Sequence, residues 1–419
     1  MKPSNKKFVN WRNGLVLASC TIGFYAPAHG SEAQTLPISW VEMGPSGLVT
    51  VRVATTQPDC PSVTLDRQSK PMQVRALPQP DFPIRICETT IPAGTTDAKV
   101  EGRPLPLPKA DPQRIVVIGD TGCRMKAPDS FQACNDPNAW PFATIASRAA
   151  AWQPDLVIHI GDYLYREAPC PDGNAGCAGS PWGDAWATWK DDFFTPALPL
   201  LQAAPWVMVR GNHEHCARAG RGWFLLFDPG PQPRSCPDVT EPYSLEAGPQ
   251  QLLILDSAAA EEAAPTVELV AAYEKQFAVL RALASPRAWL LTHRPLGSGV
   301  NGNKTLQAAL RNGLPSGIQV ILSGHAHLFG LFSVPNTNLT QVIVGNGGAA
   351  LHRELAHELT QASEDKASRG MTGAHAKTIA SFGFATIERA ARSWTWTVHD
   401  MNGATLTTCF LDSTVECSP

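Results

Sequence analysis

A chain of 419 residues, 43% of them hydrophobic, is long enough to bury a sizeable core and to hold one large domain beside a smaller one. With 34 Lys and Arg against 37 Asp and Glu, its formal net charge of −3 excludes the basic field that grips nucleic acid or an anionic membrane. Function must therefore be read from local patterns.

The first 28 residues read as a secretory signal peptide. Lys2, Lys6, Lys7 and Arg12 precede a short apolar stretch from Gly14 to Ala26, and Ala26-Pro27-Ala28 has the small-x-small form of a cleavage site. The stretch is too short to span a bilayer, and no later segment looks transmembrane. Leu17-Ala18-Ser19-Cys20 also resembles a bacterial lipobox, behind a brief apolar run. The expected destination is the periplasm or the exterior.

Residues 35–102 carry short alternating segments at Leu48 to Val53, Ser62 to Leu65, Met72 to Ala76 and Ile84 to Thr90, broken by Pro and Gly, which predict a small β-sandwich domain. Residues 103–112 hold four prolines and read as a linker. The second domain, 113–419, alternates strands with helical stretches and predicts an α/β class. Its apolar runs at Ile115 to Ile118, Leu156 to Ile160, Trp206 to Val209, Trp289 to Leu291 and Ile318 to Leu322 read as buried parallel strands. Pro141 to Trp152 and Thr266 to Leu283 have helical spacing and can act as crossovers, whereas Ala168 to Trp182 reads as an irregular loop. Trp182, Trp186, Trp189 and Phe193 repeat at helical intervals, a stripe expected to pack in a core. Leu252 to Leu255, Val342 to Val344, Ser381 to Ile387 and Ser393 to Val398 complete a strand-rich second half.

Of 11 cysteines, ten remain beyond Cys20, and they fall in sequence-neighbour couples without C-x-x-C spacing. Disulfides formed in an oxidising compartment fit better than a zinc or redox motif. Connectivity does not follow from spacing; joining neighbours (60 with 87, 123 with 134, 170 with 177, 216 with 236, 409 with 417) is the simplest arrangement.

Each predicted parallel strand is followed by a short polar string. These are Gly119-Asp120-Thr121-Gly122, Gly161-Asp162-Tyr163-Leu164-Tyr165, Gly211-Asn212-His213-Glu214, Thr292-His293-Arg294-Pro295 and Gly324-His325-Ala326-His327. Taken singly, such strings are turns and caps. In this order they place carboxylate, amide and imidazole donors on the C-terminal rim of a parallel sheet, where α/β folds hold ligands.

The five strings resemble the GD, GD, GNH, H and GHxH pattern of the calcineurin-like metallophosphoesterases, over about Arg114 to Leu328. One departure narrows the likeness. Most such enzymes carry Asp-x-His in the first string, but here Gly122 stands at the histidine position, while Tyr165 lies three residues after Asp162, as in the purple acid phosphatases. A phenol is deprotonated at neutral pH only beside a strongly Lewis-acidic ion, and Fe(III) suits that better than Zn or Mn. The resemblance implies a four-layer αββα sandwich and two metal ions, Fe(III) and a divalent Fe, Zn or Mn ion. It assigns Asp120, Asp162, Tyr165 and His327 to the first metal and Asp162, Asn212, His293 and His325 to the second. Asp162 would bridge them, one oxygen to each ion.

The same resemblance implies hydrolysis of a small phosphorylated substrate, with a metal-bound hydroxide as nucleophile. Asn212 and His213 would bind the substrate, and His213 would hydrogen-bond the phosphoryl oxygens or carry a proton; its alternative is a supporting role behind the ligands, through Glu214 or a backbone carbonyl. Arg210 and His215 are further candidates to face substrate; His159 reads as structural. Plant purple acid phosphatases carry histidine in the loop after the fourth string, but Gly297 to Lys304 has none, and Leu328-Phe329-Gly330 replaces their Tyr-Glu-Arg. The expectation is a bacterial, acid-phosphatase-like phosphomonoesterase. The alternatives are a phosphodiesterase or nucleotide hydrolase with the same centre, and an exported non-catalytic metal-binding protein. Oligomeric state is not legible.

Overall fold

The computed structural model describes residues 37–418 except 129, 262–264, 297–302, 334–338, 369–375, 391–392 and 412–414. The expected signal peptide, residues 1–28, lies outside the described residues. Among the described residues no helix is long and apolar enough to cross a membrane.

Two large sheets face one another. The first runs, edge to edge, Val415–Cys417, Thr405–Leu411, Ser393–Asp400, Gly383–Ala390, Arg114–Ile118, Leu156–His159, Trp206–Met208, Ile38–Met43, Val49–Thr55, Arg85–Thr90 and Gln73–Ala76. The second runs Tyr243–Ala247, Gln250–Leu255, Ala288–Thr292, Ile318–Ser323, Thr340–Val344, Phe329–Ser333 and Ala376–Ile379. Arg114–Ile118, Leu156–His159 and Trp206–Met208 pair in parallel, as do Gln250–Leu255, Ala288–Thr292, Ile318–Ser323 and Thr340–Val344.

The continuous apolar runs follow from burial on both faces. Alternate side chains point to opposite sides of a strand. Ile115, Val117, Leu156 and Ile158 enter the core between the sheets with Leu252, Ile254, Leu291 and Leu322. Val116, Ile118 and Val157 point outward, under the helix Phe142–Ala151 and the aromatic group of Trp189, Phe193 and Trp206. On the far side Leu253, Leu255 and Leu290 meet Tyr273, Phe277 and Leu280 of the helix Val267–Leu283. Helices thus cover both outer faces, the αββα order of layers. The aromatic stripe packs in this outer core, except Trp182, which is exposed.

Several elements lay outside the sequence expectation, among them the strands Ile38–Met43, Tyr243–Ala247, Phe329–Ser333 and Thr405–Leu411 and the helix Arg353–Ser368. Ile38–Met43 matters most, because it pairs in parallel with Trp206–Met208 through Glu42 and Trp206 and antiparallel with Val49–Thr55. A smaller sheet of Gln68–Pro71, Ser62–Leu65, Ala98–Val100 and Arg103–Pro104 covers this end, enclosing Val41, Val51, Val53, Val63 and Val100. The N-terminal residues thus form a β-sandwich with its own core, one of whose sheets continues into the large one. A domain boundary at 103–112 is therefore a proposal about cores, not about sheets. Five disulfides join the neighbouring cysteines: 60–87, 123–134, 170–177, 216–236 and 409–417.

A buried ionic network locks the sandwich onto the rest of the chain. Arg52 donates to the carbonyls of Leu226 and Asp228 at 2.7 and 2.6 Å, and Arg75 to those of Phe224 and Leu225 at 2.8 and 3.0 Å. The carbonyls of Phe224, Leu225 and Leu226 belong to the last turn of the helix Gly220–Leu226 and are left without intrahelical donors, and that of Asp228 lies just beyond it. Glu42, 3.1 Å from Arg52, is 3% exposed, and burial pushes its carboxyl up to about 7 against the opposing pull of Arg52. An acid whose pKa is raised by folding contributes stability below its unfolded value, near 4.5, and loses that contribution as pH rises through 7. Stability is expected to fall by roughly 1–3 kcal/mol from this source between pH 5 and 8. Glu42→Gln should flatten that slope in denaturant titrations at several pH values; an unchanged slope would discount the buried carboxyl.

Candidate metal centre

The C-terminal ends of the parallel strands in both sheets meet at one place. Asp120, Asp162 and Asn212 follow strands of the first sheet, and His293, His325 and His327 follow strands of the second. Asp120, Asp162 and His325 have φ of 55°, 61° and 69°. Non-glycine residues hold this left-handed backbone only where the surroundings over-determine it. Here they do: Asp120 N–H donates to the Gly161 carbonyl at 3.0 Å, Asp162 N–H to Glu214 Oε2 at 3.0 Å, and His325 N–H to Asp120 Oδ2 at 2.9 Å.

All seven donor residues come together, in two groups. Tyr165 Oη lies 2.8 Å from Asp120 Oδ1, 2.7 Å from Asp162 Oδ2 and 2.8 Å from His327 Nε2. Asn212 Oδ1 lies 3.0 Å from His293 Nε2 and 2.7 Å from His325 Nδ1, and His293 Nε2 is 3.1 Å from Asp162 Oδ2. Donor atoms of Asp162, His293 and His325 all lie within 4.8 Å of one another.

One expectation is corrected here. Asp162 does not divide its two oxygens between the groups: Oδ2 faces both, while Oδ1 accepts the His213 N–H at 2.8 Å. A second correction concerns Glu214, which does not support the His213 side chain. It accepts the backbone N–H groups of Gly211, Asp162, Tyr163 and Leu164 at 2.9–3.2 Å, and so shapes the turn that carries Asp162.

The donors fit a pair of cations. His293 Nδ1 and His327 Nδ1 each sit 2.7 Å from a carbonyl, of Ile160 and Ala350, so Nδ1 carries the hydrogen and Nε2 turns its lone pair inward. The single phenolic hydrogen of Tyr165 then faces three acceptors at once, a surplus of lone pairs that positive charge would satisfy. Burial and the Asp120 and Asp162 carboxylates push the Tyr165 phenol far above its ordinary range, so only a bound cation could ionise it. Burial, reinforced by Asp162, likewise raises Asp120 well above the usual carboxylate range. Burial would raise Asp162 too, but His293 and His213 hold it well below that range. His293 is pushed up to about 9, burial being outweighed by Asp162 and Asp120. The carboxylates thus call for positive charge in the space between the donors.

Gly122 shows why tyrosine serves here. A Cβ at this position would lie 2.7 Å from Asp192 Oδ2 and from the Tyr163 carbonyl, and 2.8 Å from the Tyr165 nitrogen. Any side chain there, histidine included, collides with backbone. Asp192 is fixed, because it accepts the N–H groups of Cys123 and Tyr165 at 2.8 and 2.7 Å and pairs with Arg166 at 2.9 Å. Gly122→His is therefore expected to destabilise the fold by about 2–4 kcal/mol rather than to add a ligand. Metal content and thermal midpoint would report it; a stable variant with tighter metal binding would refute the steric argument.

His159 is structural: its ring accepts the Gly161 N–H and lies 3.0 Å from Thr121 Oγ1. Arg210 turns away from the centre, donating to the Glu214 carbonyl and to Asp256, while His215 pairs with Asp238 near the surface. His213 packs tilted against Tyr165, ring centroids 3.7 Å apart, with Nδ1 3.0 Å from Glu167 Oε1 and with Arg218 against its nitrogens. Sequence reasoning missed Glu167, Arg218 and Asp192. The one available hint was Glu167, two residues beyond Tyr165.

The model of the calcineurin-like phosphoesterases matches residues 113–329, just over half of the chain. The chain belongs to this family. Calcineurin-like phosphoesterases are phosphoric ester hydrolases that typically bind a dinuclear metal centre, and residues 113–329 contain all seven donor residues described above.

 Asp120 is the first of these donors along the chain and His327 the last. Among curated relatives, purple acid phosphatase 23 of Arabidopsis thaliana is 25% identical over 151 residues, which is 33% of this chain and 28% of that protein. The chain thus matches under a third of the length of this phosphoesterase relative. Among solved structures, that of PhoD aligns over 91% of both chains with a TM-score of 0.57 and 11% identity, a likeness of fold.

Proposed function

We propose that this calcineurin-like phosphoesterase is an exported phosphomonoesterase of the purple acid phosphatase type, with Fe(III) in the site lined by Tyr165 and a divalent Fe, Zn or Mn ion in its neighbour. The observation that carries this reading is the approach of the Tyr165 phenol to Asp120, Asp162 and His327, beside the Asn212, His293 and His325 group. The similarity to a plant purple acid phosphatase supports it, and five disulfides support export.

When bound, two such ions would activate water and offset charge on a phosphoryl group. In this reading Asp120, Asp162, Tyr165 and His327 hold the first ion, and Asp162, Asn212, His293 and His325 hold the second. The chain's own residues do the positioning. Asp162 Oδ2 faces both donor groups; Asn212 contributes a neutral amide oxygen, which leaves more positive charge for substrate than a carboxylate would. His213, over the Tyr165 ring, is placed to hydrogen-bond the phosphoryl group or to move a proton at its edge.

Paired assays of metal-loaded protein on a chromogenic phosphate monoester and diester, with metal analysis of the same sample, test this. Faster monoester turnover with iron present is the expected result. Preference for the diester would make the chain a phosphodiesterase or nucleotide hydrolase, and release of phosphate from no ester would leave an exported metal-binding protein.

A further inference from the structure

We infer that Arg218 is the side chain that grips the phosphoryl oxygens of the substrate, held in place by Glu167 and His213; this rests on the phosphoesterase reading and assigns it a preference for dianionic monoesters. Arg218 Nε donates to Glu167 Oε1, Nη1 donates to the Asn212 carbonyl at 3.3 Å, and Nη2 lies 2.8 and 2.9 Å from Nδ1 and Nε2 of His213. The guanidinium is therefore one ring away from both donor groups, since His213 packs against the Tyr165 ring and its Nε2 is 3.8 Å from Asp162 Oδ2.

The hydrogen-bond roles sort themselves. Glu167 Oε1 lies 3.0 Å from His213 Nδ1 and also accepts from Arg218 Nε, so it ties the ring and the guanidinium together. Arg218 has donors to spare. Of its five N–H groups, three have these partners among the described residues, which leaves one on each terminal nitrogen. Two such donors on a planar, permanently charged group match two oxygens of a phosphate. The side chain is 27% exposed, so it reaches the opening, whereas His213 is 8% exposed beneath it. A dianionic monoester gains more from a fixed cation than a singly charged diester does.

Titration calorimetry with inorganic phosphate on the metal-loaded protein tests this without turnover, alongside KM for a monoester and a diester. Arg218→Met is expected to weaken phosphate binding and raise monoester KM by about 10- to 100-fold, at unchanged metal content and with a smaller effect on the diester. Arg218→Lys, which keeps the charge but not the fork, should fall between, and it decides the matter if the methionine variant does not fold. Arg221→Met, which removes a surface guanidinium paired with Asp81, should keep phosphate affinity within about threefold. Unchanged phosphate affinity in the Arg218 variants, or an equal loss in Arg221→Met, overturns the inference, as does a metal-loaded wild type that binds no phosphate. Phosphate binding that depends on Arg218 in a protein hydrolysing no ester would instead sink the enzymatic reading and leave the anion site standing.

Discussion

Asp162→Asn is expected to lose both metal ions and, with them, at least about a hundredfold of turnover. The reason lies in what its two oxygens do. Oδ2 faces Tyr165 Oη at 2.7 Å and His293 Nε2 at 3.1 Å, at the junction of the two donor groups, while Oδ1 accepts the His213 N–H at 2.8 Å. An amide has one oxygen and one NH2. If the oxygen takes the junction, the NH2 meets the His213 N–H, donor against donor; if it is turned over, the NH2 points at the cations. Neither orientation serves both ends, and the negative charge is gone in both. Metal analysis of the purified variant beside its rate on a monoester is the measurement. Near-normal turnover with two ions bound would overturn the bridging role of Asp162.

Tyr165→Phe has the second large effect. With Fe(III) bound by the phenol, the oxidised wild type should absorb in the visible, and the phenylalanine variant should lose that band. The loss of one donor among four should also weaken the first site by about 10- to 100-fold. Phenylalanine fills nearly the same buried space and keeps the contact with His213, so the fold should survive, and circular dichroism would separate a lost ligand from a lost structure. In the metal-free chain the hydroxyl has a different role. There the phenol is pushed far above its ordinary range by burial and by the Asp120 and Asp162 carboxylates, so it stays protonated and bonds to them. A colourless, iron-free wild type that still hydrolyses esters would remove the tyrosinate assignment and leave the phosphoesterase.

Much of the fold was legible because burial on both faces of a strand leaves an unbroken apolar run. Arg114–Ile118, Leu156–His159 and Ile318–Ser323 match such runs closely. The helices Phe142–Ala151 and Val267–Leu283 were legible from their spacing; Phe142, Ile145, Ala146 and Ala149 are the buried residues of the first. Ile38–Met43 was not, since its alternation resembles that of any edge strand, and only the Trp206–Met208 strand beside it shows that it is interior to a sheet. The helix Arg353–Ser368 has no apolar stripe strong enough to announce it: of its described side chains only Ala356 and Leu359 are buried.

By itself the sequence determined the donor types, their order and the strand end that each one follows. An apolar run, a glycine and a polar residue form a turn over four or five positions, and local chemistry is enough to specify that. The tertiary structure alone decided which oxygen of Asp162 stands at the junction, why no side chain fits at Gly122, and that Glu167 and Arg218 close around His213. Those facts depend on distances between residues 40 to 200 positions apart or on the direction of a side chain, and a one-dimensional pattern carries neither.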